Sequence, residues 1–444
     1  MTPDAGGLES FDDPPTGSTM PSVLDEFAWR GMLHDATEGA ADHLQGGSRV
    51  CYIGFDPTAP TLHVGSLLPI MGLAHLQRAG HSPVALVGGG TGLIGDPSGK
   101  AAERQLLTAE KARENAEGVR DQLAAFLDFE VRSNPARMVN NLDWLGSMSA
   151  VDFLRDVGKH FSVNAMLRKE SVRRRVESDE SGISFTEFAY QLLQGYDFLH
   201  LFRTHGCSVQ MGGSDQWGNI TGGIDLIRRV TGGSAYGAVF PLITTPSGTK
   251  FGKTEEGTVW LDAEWTSPFR FYQFWINTGD EEAVRYLRFF TFLDRATIEE
   301  VEAESAAEPH RRHAQRRLAE DVTRRVHGET GLSRAVLATE ALFGGSIEGL
   351  GADEIADVFA DVPSSEIGRS ALEGEGTGLL DLLAQSGVAS SRGDARRSVD
   401  GGGIYLNGMR VEDPQRRVRT EDAVEGRFLV LRKGKKSYHL VKVV

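Results

Sequence analysis

Cysteine is nearly absent: Cys51 and Cys207 are the only two in 444 residues. That excludes a disulfide framework, and no Cys/His cluster has the spacing of a zinc site, so the expectation is a reducing cytoplasm and no protein-ligated metal. Long apolar runs are missing as well. None approaches the ~18–20 residues that cross a bilayer, so no membrane partner is expected. The first 20 residues hold Asp4, Glu9, Asp12 and Asp13 but no Lys or Arg, which excludes the basic start of a signal peptide. Residues 1–20 read as a disordered N-terminal extension. There is no internal repeat of solenoid period.

What is present fits a multidomain soluble protein. A chain of 444 residues exceeds what one core usually organises, and its 40% hydrophobic and 25% charged content is ordinary for a globular fold. The net charge of −15 hides an asymmetry. From Arg392 to Val444 there are 13 Lys/Arg against 7 Asp/Glu, a net of +6, which leaves −15 − 6 = −21 for everything before it. A basic end on an acidic body is an electrostatic footprint for nucleic acid, with a merely solvated tail as the equal alternative from charge alone.

Short apolar runs alternate with longer helical patterns from about residue 49. Strands are predicted at 49–55, 83–88 and 207–211, with helices at 66–79 and 215–230, the pattern of a parallel sheet with crossover helices. Residues 21–245 therefore read as a Rossmann-like α/β domain, whose ligands sit where strand ends meet helix starts. Within it, an insertion at about 150–190 carries Phe153, Leu154, Phe161, Val163 and Met166, then Arg168, Lys169, Arg173, Arg174 and Arg175. The basic run reads first as a solvated helix face. Residues 246–343 turn helical, with Ser267-Pro268 as a start signal, and 344–376 reads as a linker rich in Gly, Ser, Asp and Glu. In 377–444, two short helices at 379–388 and 392–397 precede a hairpin at 404–411 on an Asn407-Gly408 turn.

Two stretches put small residues beside nitrogen-bearing side chains, as polyphosphate binding demands. In Pro57-Thr-Ala-Pro-Thr-Leu-His-Val-Gly-Ser66, His63 and Gly65 open a helix, where imidazole and bare N–H groups meet phosphate. In Lys250-Phe-Gly-Lys-Thr254, two lysines flank Gly252 as a candidate mobile clamp. Tyr190, Gln194 and Asp197 fall at i, i+4 and i+7 of one predicted helix, so three polar groups share a stripe beside Phe188, Leu192, Leu193 and Phe198 and need a common partner. Asp215 and Gln216 follow Gly212-Gly213, with an N-cap role for Ser214 or Asp215 as the structural alternative. Two decoys fail. Gly90-Thr-Gly92-Leu-Ile-Gly95 fits a dinucleotide fingerprint without its context, and Gly95-Asp-Pro-Ser-Gly99-Lys100 is one residue short of a P-loop.

In this order the motifs, with Tyr52-Ile-Gly-Phe-Asp56 and Gly212-Gly-Ser-Asp-Gln-Trp-Gly-Asn219, resemble the tyrosyl-tRNA synthetases, class I enzymes of bacterial type with a C-terminal S4 domain. The resemblance implies ATP-dependent activation of tyrosine and its transfer to tRNA, with Mg²⁺ on the phosphates, and a homodimer. It implies that Thr58, His63, Lys250 and Lys253 serve the phosphates, and that Gly54, Asp56, Gly65, Ser66, Gly212, Asp215, Gly252 and Thr254 line the ATP site. Tyr52 and Asp197 would hold the substrate phenol, Asp96, Tyr190 and Gln194 its ammonium, and Gln216 its carboxylate region. Arg392, Arg396, Arg397, Arg432, Lys433, Lys435 and Lys436 would face RNA. Ser66 departs from the family, which more often has His or Asn there. That departure keeps a second reading open, a catalytically altered paralogue that binds RNA; a tryptophan enzyme is the lesser alternative.

Overall fold

Six strands build the sheet that carries the site: β1 (Asp35–Ala36), β2 (Val50–Phe55), β3 (Ser82–Val87), β4 (Arg137–Asn140), β5 (Cys207–Gly213) and β6 (Tyr236–Phe240), in the order β1-β6-β5-β2-β3-β4. In this computed structural model the described residues are 22–96, 108–169, 172, 173, 176, 183–244, 251–254, 257–435 and 437–444, with the side chains of Lys253 and Thr254 left aside. The expected extension 1–20, Lys100, Arg174, Arg175, Lys250 and Lys436 lie outside them.

Strands β2 to β6 pair in parallel, and β1 closes one edge antiparallel to β6. β2 and β3 are nearly continuous runs of apolar residues because a parallel sheet is covered on both faces. The order reverses at β2, which lies between β3 and β5. A crevice therefore opens beyond the carboxyl ends of β2 and β5, the usual ligand position in such a sheet. The helix Phe185–His205 starts on a Ser184/Glu187 capping box and stops at Gly206, whose φ of 64° suits a left-handed cap. It packs with the helix Trp217–Thr231 on one face of the sheet, around Tyr52, Phe198, Leu199, Leu201, Leu226 and Ile227. Fully burying one such ring as Phe198 is worth about 1.5–3 kcal/mol.

The chain divides into two compact units, residues 1–265 with 279–318, and 266–278 with 319–444. The helices of 268–342 are shared between them. In the second unit, strands Met409–Arg410, Ile404–Leu406, Phe428–Lys433, Ser437–Val443 and Ser364–Ile367 lie side by side in that order. Asn407 and Gly408 have φ of 51° and 80°, so the expected hairpin turns on two left-handed residues. The helices Leu379–Gln385 and Arg392–Asp400 precede it. The stretch 344–376, read from composition as a linker, contains the helix Ala352–Val358 and the strand Ser364–Ile367. Its Ile347, Leu350, Ile355, Val358 and Phe359 are buried against Phe428, Val430 and Leu440. This core accounts for the order that a Gly/Ser/Asp/Glu count conceals.

Candidate active site

Asp197, the last member of the polar stripe, is 2% exposed. Trp144 Nε1 donates to its Oδ1 at 2.8 Å and Asn141 Nδ2 to its Oδ2 at 2.9 Å. The Asn141 amide cannot be reversed, because its Oδ1 accepts from the Gly90 backbone N–H at 2.7 Å. Even so, burial pushes the Asp197 carboxyl up to about 7, with Asp56 adding to the rise while the Asn141 and Trp144 donors oppose it. Tyr52, on β2, is 1% exposed, and its ring packs at 5.4 Å from that of Phe198. Its hydroxyl is buried and has no hydrogen-bond partner among the described residues. Burial and the nearby Asp197 charge raise the Tyr52 phenol well above its ordinary value, so it stays protonated. A buried O–H without a partner, next to a carboxylate, leaves a place for a group that both accepts and donates, as a phenol does.

A polar belt continues from Asp197 and its donors. Tyr190 donates to Asp56 Oδ2 at 3.2 Å, Thr91 donates to Asp56 Oδ1 at 3.1 Å, and Asn141 donates to Thr91 Oγ1 at 3.0 Å. With its proton given to Asp56, the Tyr190 oxygen keeps lone pairs for a cation. Asp96, buried at 7% exposure, accepts from Gln216 Nε2 at 2.7 Å. Asn219 donates to Gln194 Oε1 at 3.0 Å and to Gln216 Oε1 at 3.2 Å. Glycine is required at 88, since a Cβ there would sit 2.3 Å from Asp56 Oδ1. Neither Ser214 nor Asp215 caps the helix Trp217–Thr231, whose N-cap is Gln216 without a side-chain bond.

The two motifs of small residues meet each other. Leu261 N donates to Leu62 O at 2.9 Å and Val64 N to Val259 O at 3.0 Å, so His63 bridges to Trp260 in antiparallel fashion, with their rings 6.1 Å apart edge to face. Gly252 has φ 82°, and a Cβ on it would lie 2.4 Å from Val64 Cγ2. A Cβ on Gly65 would instead lie 2.7 Å from His63 Cε1 and 2.8 Å from His63 Nδ1. Bare backbone at Gly252 is what lets the segments touch, and at Gly65 it leaves room for the His63 imidazole. The Phe251 ring is stacked on Phe290 at 5.6 Å, which anchors the second motif. Ser66 is the N-cap of the helix Leu67–Arg78 but makes no side-chain cap bond. Thr58 N donates to Asp56 O at 2.8 Å, so Asp56 joins the polar belt to the first motif.

A family model described as "tRNA synthetases class I (W and Y)" matches residues 45–344, and one described as "Tyrosine--tRNA ligase SYY-like C-terminal domain" matches residues 354–441. A tyrosine–tRNA ligase of Roseiflexus castenholzii is 55% identical over 96% of this chain and 100% of its own length. The chain belongs to the tyrosyl-tRNA synthetases. A tyrosine–tRNA ligase of Bacillus caldotenax is 51% identical over 95% of this chain and 99% of its own. Among solved structures, a C-terminally truncated mitochondrial tyrosyl-tRNA synthetase of Aspergillus nidulans aligns with TM-score 0.66 and 30% identity, over 72% of this chain and 94% of that one.

The chain of this tyrosyl-tRNA synthetase links Tyr52, Asp56, Asp96, Tyr190, Gln194, Asp197 and Gln216 in one polar neighbourhood, and brings His63, Gly65 and Gly252 together. Thr91, Asn141 and Trp144 belong to the same network and escaped the sequence reading, and Asn219, which ends the motif that begins at Gly212, joins it. A strand ending in Asn140-Asn141 followed by Trp144 was the available signal. Among the described residues no group of three His, Cys, Asp or Glu is set to hold a metal ion. In the second unit, Arg392, Arg396 and Arg397 are exposed on one helix, with Arg392 3.0 Å from Asp381. Lys435 is exposed, and Lys433 bonds Asp394 at 3.1 Å. Arg432 differs. It is 9% exposed, and its guanidinium lies 3.7 Å over the Tyr405 ring, so it is a packing residue and we leave it out of the RNA-facing set.

Proposed function

We propose that this chain activates L-tyrosine with ATP and transfers it to tRNA(Tyr). The carrying observation is a buried carboxylate beside a buried phenol that has no partner among the described residues, together with two motifs of small residues in contact with each other. In activation the tyrosine carboxylate attacks the α-phosphorus. A C–O–P link forms, the bond to the β-phosphate breaks, and pyrophosphate leaves with its electron pair. A hydroxyl of the terminal tRNA ribose then attacks the carbonyl carbon and AMP departs.

In this reading the substrate phenol donates to Asp197 and accepts from Tyr52. Asp96, Tyr190 and Gln194 receive the ammonium, and Gln216 lies toward the carboxylate. Gly54, Gly212 and Asp215 border the nucleoside, while Thr58, His63, Lys250, Lys253 and Thr254 neutralise phosphate charge that develops as pyrophosphate leaves. Mg²⁺ would enter with the ATP phosphates. The RNA surface is assigned to Arg392, Arg396, Arg397, Lys433, Lys435 and Lys436.

A homodimer follows the same reading. Val151, Leu154, Val163, Leu167, Val176 and Phe185 are exposed apolar residues within one short insertion, a concentration that a monomer rarely leaves in water. No helix among the described residues is long and apolar enough to cross a membrane, and two buried free thiols suit a reducing cytoplasm. Neither the RNA-binding paralogue nor the tryptophan enzyme gains support beside full-length likeness to tyrosine–tRNA ligases. Exchange of labelled pyrophosphate into ATP, dependent on tyrosine, is the test. Exchange supported by tryptophan instead, or RNA binding without exchange, would overturn the reading.

A further inference from the structure

The peptide that carries His63 is gripped from both sides, and one of the grips comes from a helix outside the crevice. Along the helix Ala109–Leu123, positions 115, 118 and 122 fall at i, i+3 and i+7 and so form one stripe. All three meet the first motif. Asn115 Nδ2 donates to Pro57 O at 2.8 Å, and a Cβ at Gly118 would lie 2.6 Å from Pro60 O, so only glycine allows this approach. Gln122 makes two bonds at once: its Oε1 accepts from Leu62 N at 2.8 Å and its Nε2 donates to Thr61 Oγ1 at 2.5 Å. Leu62 immediately precedes His63. Its carbonyl on the far side accepts from Leu261 N at 2.9 Å, on the segment that follows the second motif.

We infer that Gln122 is a positioning residue for adenylate formation, acting through Leu62 to hold the His63 imidazole where phosphate charge develops. The inference rests on the tyrosine-activation reading above. An amide suits the task because it accepts from a backbone N–H and donates to a hydroxyl in one plane, which fixes both translation and twist of the loop. Gln122 touches no substrate in this role. Small displacements of a charge-stabilising group are costly in rate, whereas the tyrosine pocket, built on β2, β4 and the helix Phe185–His205, does not depend on this brace.

The test compares Gln122→Met, which keeps length but removes both bonds, with Gln122→Glu, whose carboxylate still accepts from Leu62 N–H and takes the Thr61 hydroxyl proton once that hydroxyl turns from Leu62 O, to which it donates at 3.1 Å. Losing two ordinary hydrogen bonds should slow single-turnover adenylate formation about ten- to thirtyfold in Q122M. The tyrosine dissociation constant should stay within about twofold of wild type, and Q122E should recover to within about threefold of the wild-type rate. Thr61→Val removes one partner of the same brace and serves if Q122M does not fold, with about a three- to tenfold loss expected. A wild-type rate in Q122M, a Q122E as slow as Q122M, or tyrosine affinity falling in step with rate would each overturn the brace. If the wild type forms no adenylate, it is the activation reading that fails. Hydrogen exchange at the Leu62 amide then decides the brace alone: faster exchange in Q122M upholds it and unchanged exchange refutes it.

Discussion

Asp197→Asn should make the empty protein's stability less sensitive to alkali while destroying tyrosine binding. The Asp197 carboxyl titrates near 3.8 in an unfolded chain and is pushed up to about 7 in the fold, chiefly by burial. A raised carboxylate contributes stability that is complete below the unfolded value and is lost as pH rises through the folded one. Between about pH 5 and about pH 7 the unfolded chain is already ionised while the folded group still holds its proton, so each pH unit removes about 1.4 kcal/mol. Over that window the wild type loses about 3 kcal/mol that the Asn variant cannot lose. An Asn amide facing the Trp144 or Asn141 donor carries its own cost of about 1–3 kcal/mol, but that cost is independent of pH. The difference between variant and wild type therefore isolates the ionisation. The assay is urea unfolding of the ligand-free protein at a series of pH values, followed on the transition of the first unit. Parallel stability curves for the two proteins would refute the reasoning. In the wild type, tyrosine binding should also tighten as pH rises through about 7, since the ionised carboxylate is the better acceptor for a phenol.

Tyr52→Phe removes a buried hydroxyl that has no partner among the described residues; the variant should unfold no more easily, and by up to about 2 kcal/mol less easily, yet bind tyrosine more weakly, as thermal unfolding and equilibrium dialysis would report. Gly252→Ala places a Cβ 2.4 Å from Val64 Cγ2 on a backbone at φ 82°, so pyrophosphate exchange should fall at least ~100-fold while the tyrosine dissociation constant holds. Ser66→His replaces a side chain that makes no cap bond, so helix stability should change by less than ~0.5 kcal/mol; a fall in the KM for ATP would show that serine limits nucleotide use, and an unchanged KM that it does not.

The sheet and the stripe Tyr190, Gln194 and Asp197 were legible in the sequence because helical and strand periodicities act locally. A polar group recurring at i, i+4 and i+7 beside Phe198 has to be turned toward the same neighbour whatever the rest of the chain does. The donors that make Asp197 usable were not legible. Asn141 and Trp144 reach it across 56 and 53 residues, through a pairing of β4 with β3 that no local pattern announces. Thr91 lies inside a glycine pattern that was rightly set aside as a dinucleotide fingerprint, yet its hydroxyl couples Asp56 to Asn141. Arg432 shows the opposite failure. A charge count treats every arginine in a basic tail alike and cannot register that one of them is stacked on Tyr405.

If the pocket takes tyrosine as proposed, its selectivity rests on which polar groups the protein satisfies for itself and which it leaves short. Asn141 is fully engaged by Gly90, Thr91 and Asp197, so its amide cannot turn to serve another ligand. Tyr190 is fixed by Asp56, and Gln194 and Gln216 by Asn219. Tyr52 alone of these groups carries a buried hydroxyl without a partner among the described residues, beside a carboxyl that burial pushes up to about 7. A phenol entering between them supplies an acceptor to the first and a donor to the second, relieving both deficits in one step. Phenylalanine relieves neither, and it also displaces any water that had been relieving them. On the proposed reading the discrimination is carried less by the strength of two new hydrogen bonds than by the cost of leaving the Tyr52 hydroxyl buried without a partner among the described residues, beside an Asp197 carboxyl that has only the Trp144 and Asn141 donors.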